Sequence, residues 1–425
     1  MSDQLRAIIA ANRAGARSAI VSVCSAHPDV LRASLTQAQT LDRPIVIEAT
    51  SNQVNQFGGY TGMTPRDFVA LVHTIADENG VDRDRIIFGG DHLGPQAWRS
   101  GDAKTAMEHA RTMVADYVRA GFGKIHLDCS EGCSGEPAQL GDALAAERAA
   151  ELAEACLQAS DDPRALCFVI GTEVPPPGGA RQDDHDDITP TAPDAALATL
   201  AAHKAAFSAD AWAQVVGLVV QPGVEFAPMH VHHMPLDRDT GLRAVMMSQD
   251  GLCLEAHSTD YQNPDVFIAL ADMGFAFQKV GPALTFAYRQ AIYALDGLRV
   301  FCGWADALTV RPTMEQLMRD DPSKWDGHYH GNDAELAIAR HFGLADRIRY
   351  YWPQKEAQAA VTSLIKDLSA REFPLPALEQ VFSKAVISRA QTLEGPQVQR
   401  LLDAQVQDAL APYFFGERQK GDGYD

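Results

Sequence analysis

The sequence predicts a (β/α)8 barrel of the TIM type followed by a C-terminal helical extension. Three observations predict it. Eight short apolar runs rich in Val, Ile and Phe recur through the first 281 residues, helical-period segments lie between them, and every run ends in polar residues. The runs are AIVSVCS (19–25), PIVIEATS (44–51), RIIFGGDH (85–92), KIHLDCS (124–130), LCFVIGTE (166–173), VVGLVVQ (215–221), LCLEAHS (252–258) and FAFQKVG (275–281). Near-continuous apolar runs of this length read as strands buried on both faces of a parallel sheet. Eight units in about 280 residues suit a closed barrel better than an open sheet, with a doubly wound fold as the alternative.

The intervening segments, among them PRDFVALVHTIADENG, AKTAMEHARTMVADYVRAG and ERAAELAEACLQAS, repeat apolar residues at helical spacing. Several close on a Gly, where a left-handed C-cap is expected. Beyond residue 300 the strand rhythm stops. Residues 1–300 are therefore assigned to the barrel and 301–425 to helices packed on it. Trp304, Trp325, Tyr329, Tyr350, Tyr351 and Trp352 cluster in that extension. They read as packing against the barrel or a subunit, because aromatic residues dominate interfaces, with a ligand cage as the alternative.

Composition excludes several functions. The chain of 425 residues is 46% hydrophobic and 22% charged, enough to bury a large core. Its 36 Lys and Arg against 56 Asp and Glu give a charge of −20, which repels nucleic-acid backbones and anionic lipid. Seven Cys form no CxxC pair, and Cys129 and Cys133 have no second pair to complete a zinc knuckle, so reduced cysteines are expected. No export leader and no apolar span of about 18 residues is legible, so a soluble, cytoplasmic protein is expected. Neither GxxxxGK[ST] nor a GxGxxG between strand and helix is present, which argues against nucleotide-dependent chemistry.

The rim at the strand C-termini is where a barrel places chemistry. Asp91 and His92 end the third run, Asp128 the fourth, Glu173 the fifth, and Glu255 with His257 the seventh. Carboxylates and imidazoles brought together from different strands suit a divalent metal: zinc first, with manganese, cobalt or nickel as alternatives. A network of ion pairs bracing the rim is the structural alternative. His230, His232 and His233 lie past the sixth run in a Pro- and Met-bearing segment and read as a surface loop, with His233 the member placed to reach the pocket. For an anionic substrate group, Lys279 and Gly281 end the eighth run beside Ser258 and Thr259, and the second run is followed by Asn52, Gln53, Gly58 and Gly59. Backbone N–H groups in such turns can receive a phosphate. Cys24 and Cys129 are read as structural or pocket-lining.

With these residues assembled, the chain resembles the GatZ/KbaZ-like family, accessory subunits of class II tagatose-1,6-bisphosphate aldolase. VCSAHP, IEATSNQVNQFGGYTGMTP, GGDHLGP, KIHLD, GTEVPPPGG, VVQPGVEF, EAHSTDYQ, KVGPALTF and DRIRYYWP carry the resemblance from residue 20 to about 353. The family is similar to catalytic class II aldolases, whose Asp-His after strand three supplies an acid/base carboxylate and a metal-binding imidazole, the places of Asp91 and His92. Those aldolases take two further metal-binding histidines from strands six and seven, whereas here strand six ends in Gln221-Pro222-Gly223. The site is then either degenerate or completed by Glu173 or Glu255 together with His257.

The resemblance implies one of two functions. The first is a metal-dependent tagatose 6-phosphate 4-epimerase giving fructose 6-phosphate by retro-aldol cleavage and re-addition. In it Asp91 is the acid/base, His92, His257 and Glu173 hold the metal, and Asp128 or Glu255 orients ligands or hydroxyls. The second is a non-catalytic subunit stabilising a separate aldolase; a sugar-phosphate-binding module without turnover is a lesser reading within that split. A ketose phosphate is the expected substrate, a catalytic aldolase subunit a possible partner under the second reading, and a homo-oligomer the expected assembly. Some family members carry the label tagatose 6-phosphate kinase, which the missing phosphate-cradle motif argues against.

Overall fold

The computed structural model describes residues 2–172, 188–305 and 308–416. Eight strands close a barrel: β1 (Ile20–Cys24), β2 (Ile45–Thr50), β3 (Ile86–Leu93), β4 (Lys124–Leu127), β5 (Cys167–Ile170), β6 (Val215–Val219), β9 (Cys253–Ala256) and β10 (Phe275–Val280). They are the eight runs expected from the sequence. Each pairs in parallel with its neighbours, and β10 returns to β1 to complete the ring. Between β6 and β9, β7 (Glu225–Ala227) and β8 (His230–His232) form an antiparallel hairpin outside the ring. The segment read as a histidine-bearing loop is thus partly a strand pair; His230 and His232 are half-buried, and His233 is exposed and does not line the cavity described below.

Local chemistry sets the outer helices. Pro65–Glu78 starts at a Thr64 capping box with Asp67, carries Pro65 in its first turn, and turns Phe68, Val72, Ile75 and Ala76 onto the barrel. Ala103–Ala120 stops at Gly121, whose φ of +103° is the left-handed cap expected of that glycine.

The lower barrel is apolar and plugged. Ile20, Val46, Ile87, Cys167, Cys253 and Phe277 form a buried cluster with Leu5 and Ile9 of an N-terminal helix, Ser2–Arg13. That helix is anchored below the strands by Arg13 Nη1, which donates to the carbonyls of Met246 and Leu252 at 2.8 Å. The buried charged side chains of the barrel interior lie above this plug.

The region after the barrel is helical. Its last long helix, Gln397–Leu410, packs on Pro28–Thr40 and Pro282–Phe301, and Arg32 reaches Asp403 at 2.8 Å. The buried pair Arg289–Asp346, also 2.8 Å, holds a short 3-10 turn, Arg347–Tyr351, over the mouth of the barrel. Among the described residues no helix is long and apolar enough to cross a membrane.

Candidate active site

Alternation along the strands builds the site. In a strand every second side chain points to the same face, so Lys124, His126 and Asp128 rise as one column from β4, and Glu255 and His257 as another from β9. Glu48 enters from β2 because its neighbour in register is Gly89. A Cβ at that glycine would lie 2.8 Å from both Cγ and Oε1 of Glu48.

Charged groups fill the upper barrel in two tiers. Lys124 Nζ sits between Glu48 Oε1 (2.6 Å) and Glu255 Oε2 (2.5 Å), all three fully buried. Above it Lys279 Nζ contacts Asp91 Oδ1, lies 3.0 Å from Glu255 Oε1, and is 3.4 Å from Glu48 Oε2. Burial works against the ionised form of Asp91, but His92 and Lys279 hold its carboxyl well below the usual carboxylate range. Burial lifts the thiol of Cys24, aided by Asp91, so it stays protonated and donates to Asp91 Oδ2 at 3.1 Å.

Three imidazoles face one another next to that carboxylate. The rings of His92, His126 and His257 are 4.9 to 5.1 Å apart, centroid to centroid. Burial pushes His257 down to about 3, with Lys279 adding to it against Glu255, whose Oε1 lies 2.8 Å from His257 Nε2. Burial likewise lowers His126. His92 is raised: Asp91 and Asp128 outweigh its burial. Its backbone has φ +47°, and Ser258 has φ +53°, left-handed conformations that cost a non-glycine residue about 1–3 kcal/mol and cluster at working sites. His92 is held there by its Nδ1 beside Asp128 Oδ2 (2.7 Å). Its N–H lies 3.2 Å from His126 Nδ1, which is also 3.3 Å from the Asp91 carboxylate and in the tautomer that donates to it leaves Nε2 with a free lone pair. Gly94 lets β3 end against β4, since a Cβ there would fall 1.7 Å from the Asp128 carbonyl oxygen.

The donor set fits a divalent cation. Asp91, His126 and His257 offer ligand atoms all within 4.8 Å of one another. His126 Nε2 is buried without a hydrogen-bond partner. Four buried carboxylates, Glu48, Asp91, Asp128 and Glu255, face two ammonium groups and the His92 ring, which leaves negative charge in excess in a low-dielectric site.

Above this floor lies a cavity of about 490 Å³. Asp91, His92, His257 and Lys279 line its base, and Asn52, Gln53, Ser258 and Gly281 its wall. The rest of the phosphate-binding set is placed differently. Gly58 and Gly59 do not line the cavity, and their N–H groups bond to the carbonyl and side-chain oxygens of Asn55. Thr259 is buried, its hydroxyl donating to the Lys279 carbonyl at 2.6 Å and meeting Tyr413 Oη at 2.9 Å. The Gly281 N–H donates to Asp260 Oδ1 at 3.1 Å. Glu173 lies outside the described residues.

The sequence reading missed Glu48, Lys124 and His126, although i, i+2, i+4 spacing in KIHLD marks the inner face of β4. It also favoured packing over a ligand cage for the C-terminal aromatics. Tyr350 and Trp352 line the cavity with Arg349, while Trp325, Tyr329 and Tyr351 are buried in the core.

A closed (β/α)8 barrel whose rim gathers an ionised carboxylate and neutral imidazoles beneath a cavity has the anatomy of an enzyme barrel. The chain belongs to the D-tagatose-1,6-bisphosphate aldolase subunit GatZ/KbaZ-like family, which matches residues 5–417. It is 46% identical over 424 residues, 97% of this chain and 98% of the relative, to the D-tagatose 6-phosphate 4-epimerase of Agrobacterium fabrum strain C58. It is also similar to the crystal structure of a probable tagatose 6 phosphate kinase from Sinorhizobium meliloti 1021, with TM-score 0.85 and 42% identity over 93% of this chain and 99% of that one.

Proposed function

We propose that this chain is a metal-dependent epimerase that inverts C4 of D-tagatose 6-phosphate to give D-fructose 6-phosphate. The observation that carries the reading is the Asp91 carboxylate, held ionised beside the rings of His92 and His257 at the base of a sugar-sized cavity, with His126 packed against both rings. The relative named as such an epimerase, matching across nearly the whole chain, supports the choice of substrate.

The hydrogen on C4 of a 2-ketose is β to the carbonyl and is not acidic, so inversion requires breaking the C3–C4 bond. Asp91 takes the proton of the C4 hydroxyl, C4 becomes an aldehyde, and the C3–C4 electron pair moves into the C2 carbonyl to leave an enediolate. The aldehyde turns its other face, C3 re-adds, and Asp91 returns the proton. His126 and His257 together with His92 would hold a divalent ion, zinc or else manganese, cobalt or nickel. When bound, such an ion draws electron density from the C2 and C3 oxygens. His92 suits that place because a ligating histidine characteristically gives its other ring N–H to a carboxylate, here Asp128. Glu255 orients His257 in the same way. Lys279 keeps Asp91 charged between turnovers.

The test is to incubate the purified, metal-loaded chain alone with D-tagatose 6-phosphate and follow fructose 6-phosphate before and after chelation. Product that disappears on chelation, formed in heavy water without deuterium at C4, is the expected result. Absence of product from the loaded chain, with activation of an added aldolase, overturns the reading in favour of an accessory subunit.

A further inference from the structure

The place where barrels commonly bind phosphate, the turn after the last strand, is already filled by the protein. Asp260 Oδ1 accepts the N–H groups of Gly281 (3.1 Å) and Ala283 (2.8 Å) at the start of the helix Pro282–Phe301. A buried carboxylate thus sits where an incoming anion would sit, and Lys279 is surrounded by three carboxylates of its own. Among the described residues lining the cavity, the other permanently charged cation is Arg349.

Arg349 stands on the short turn held over the mouth. Its Nη1 donates to the carbonyls of Ala345 and Asp346, and its Nη2 to Tyr350 Oη at 2.8 Å. No carboxylate lies within ion-pair distance of it among the described residues; Asp346 and Asp260 act on it only from further away, and N–H donors remain. Tyr60, on the loop after β2, meets Tyr350 edge to face at 4.9 Å, and both line the cavity. Trp352 adds a buried Nε1–H that has no partner and belongs to a ring facing the same space.

We propose that Arg349, with the Tyr60 hydroxyl and the Trp352 N–H, binds the phosphate monoester of the substrate, so that the C-terminal extension supplies the specificity for phosphorylated sugars. This rests on the epimerase reading for the identity of the substrate. In that reaction the phosphate stays on the aldehyde fragment after C3–C4 cleavage, and a phosphate held by Arg349 retains the fragment while its reacting end turns.

Arg349→Met, Arg349→Lys and Tyr60→Phe test the assignment, with inorganic phosphate as the binding probe, read by calorimetry and by inhibition, alongside KM for D-tagatose 6-phosphate. R349M is expected to weaken inorganic phosphate and raise KM by ~10–100-fold, as loss of a charge-assisted contact implies, with R349K recovering part and Y60F losing a few-fold. Wild-type phosphate affinity in folded R349M overturns the proposal. Should R349M not fold, R349K and Y60F decide: unchanged phosphate affinity in both overturns it. A wild-type chain that binds phosphate through Arg349 yet does not turn over the sugar sinks the epimerase reading and leaves this site standing.

Discussion

His92 Nδ1 and Asp128 Oδ2 lie 2.7 Å apart, a buried pair that ties the end of β3 to the end of β4. Asp128 is itself fixed: its Oδ1 accepts the backbone N–H and the hydroxyl of Ser130 at 3.0 and 2.6 Å. Burial disfavours its charge, but His92 outweighs that and keeps the carboxylate far below its ordinary range. The pair therefore fixes the ring of His92 and which nitrogen faces the cavity.

Asp128→Asn should separate orientation from folding. The amide fills the same space but accepts the ring N–H less strongly, and loss of such an outer partner typically costs ~10–100-fold in activity or metal affinity. We expect kcat to fall in that range with the unfolding midpoint little changed. An unaltered kcat would remove Asp128 from any part in positioning His92.

His126 offers a contrast, because nothing braces its Nε2. His126→Ala should lower zinc affinity, measured by competition with a chelating dye, by more than the Asp128 change does. If H126A binds zinc like the wild-type chain, the three-imidazole site is wrong, whatever its effect on turnover.

How far the sequence reached is visible in these two residues. Asp128 ends a run, where polar residues stand out against apolar ones, and so was legible with Asp91, His92 and His257. His126 lies inside a run that reads as strand interior, as do Lys124 and Glu48. The spacing of Lys124, His126 and Asp128 puts them on one face, but that the lysine sits between two glutamates is not written in any local pattern, because only closure of the barrel brings the three together. The barrel was legible for the opposite reason: strand length, alternation with helices and Gly caps are local. Arg349 was out of reach, and the cage alternative for Tyr350 could not be chosen over packing, because their contribution depends on where a distant helical segment folds back, which no local period encodes.

Lys124→Met tests the lower tier. It leaves Glu48 and Glu255 facing each other with only Lys279 near, and breaking a buried pair in this way costs about 3–5 kcal/mol. Urea unfolding should show a loss of that size, partly recovered in K124M combined with Glu48→Gln. No recovery in the double variant would mean that lost packing, not exposed charge, sets the cost.

The last prediction concerns pH. Burial raises Asp260 to about 6, against the two backbone N–H groups that favour its ionised form. A group whose folded value lies above its unfolded one adds stability below the unfolded pKa and loses it as the pH rises through the folded one. Across the window from about pH 4 to about pH 6 the wild-type chain should thus lose about 3 kcal/mol relative to Asp260→Asn, whose amide oxygen can accept the same N–H groups without a charge. At neutral pH the variant should be the more stable of the two, and near pH 4 the gap should have shifted by that amount in favour of the wild type. Urea midpoints that run parallel for both proteins across this range would show that Asp260 ionises as easily in the folded chain as in water. They would also imply that the N–H groups at the helix start stabilise the anion by about as much as burial penalises it.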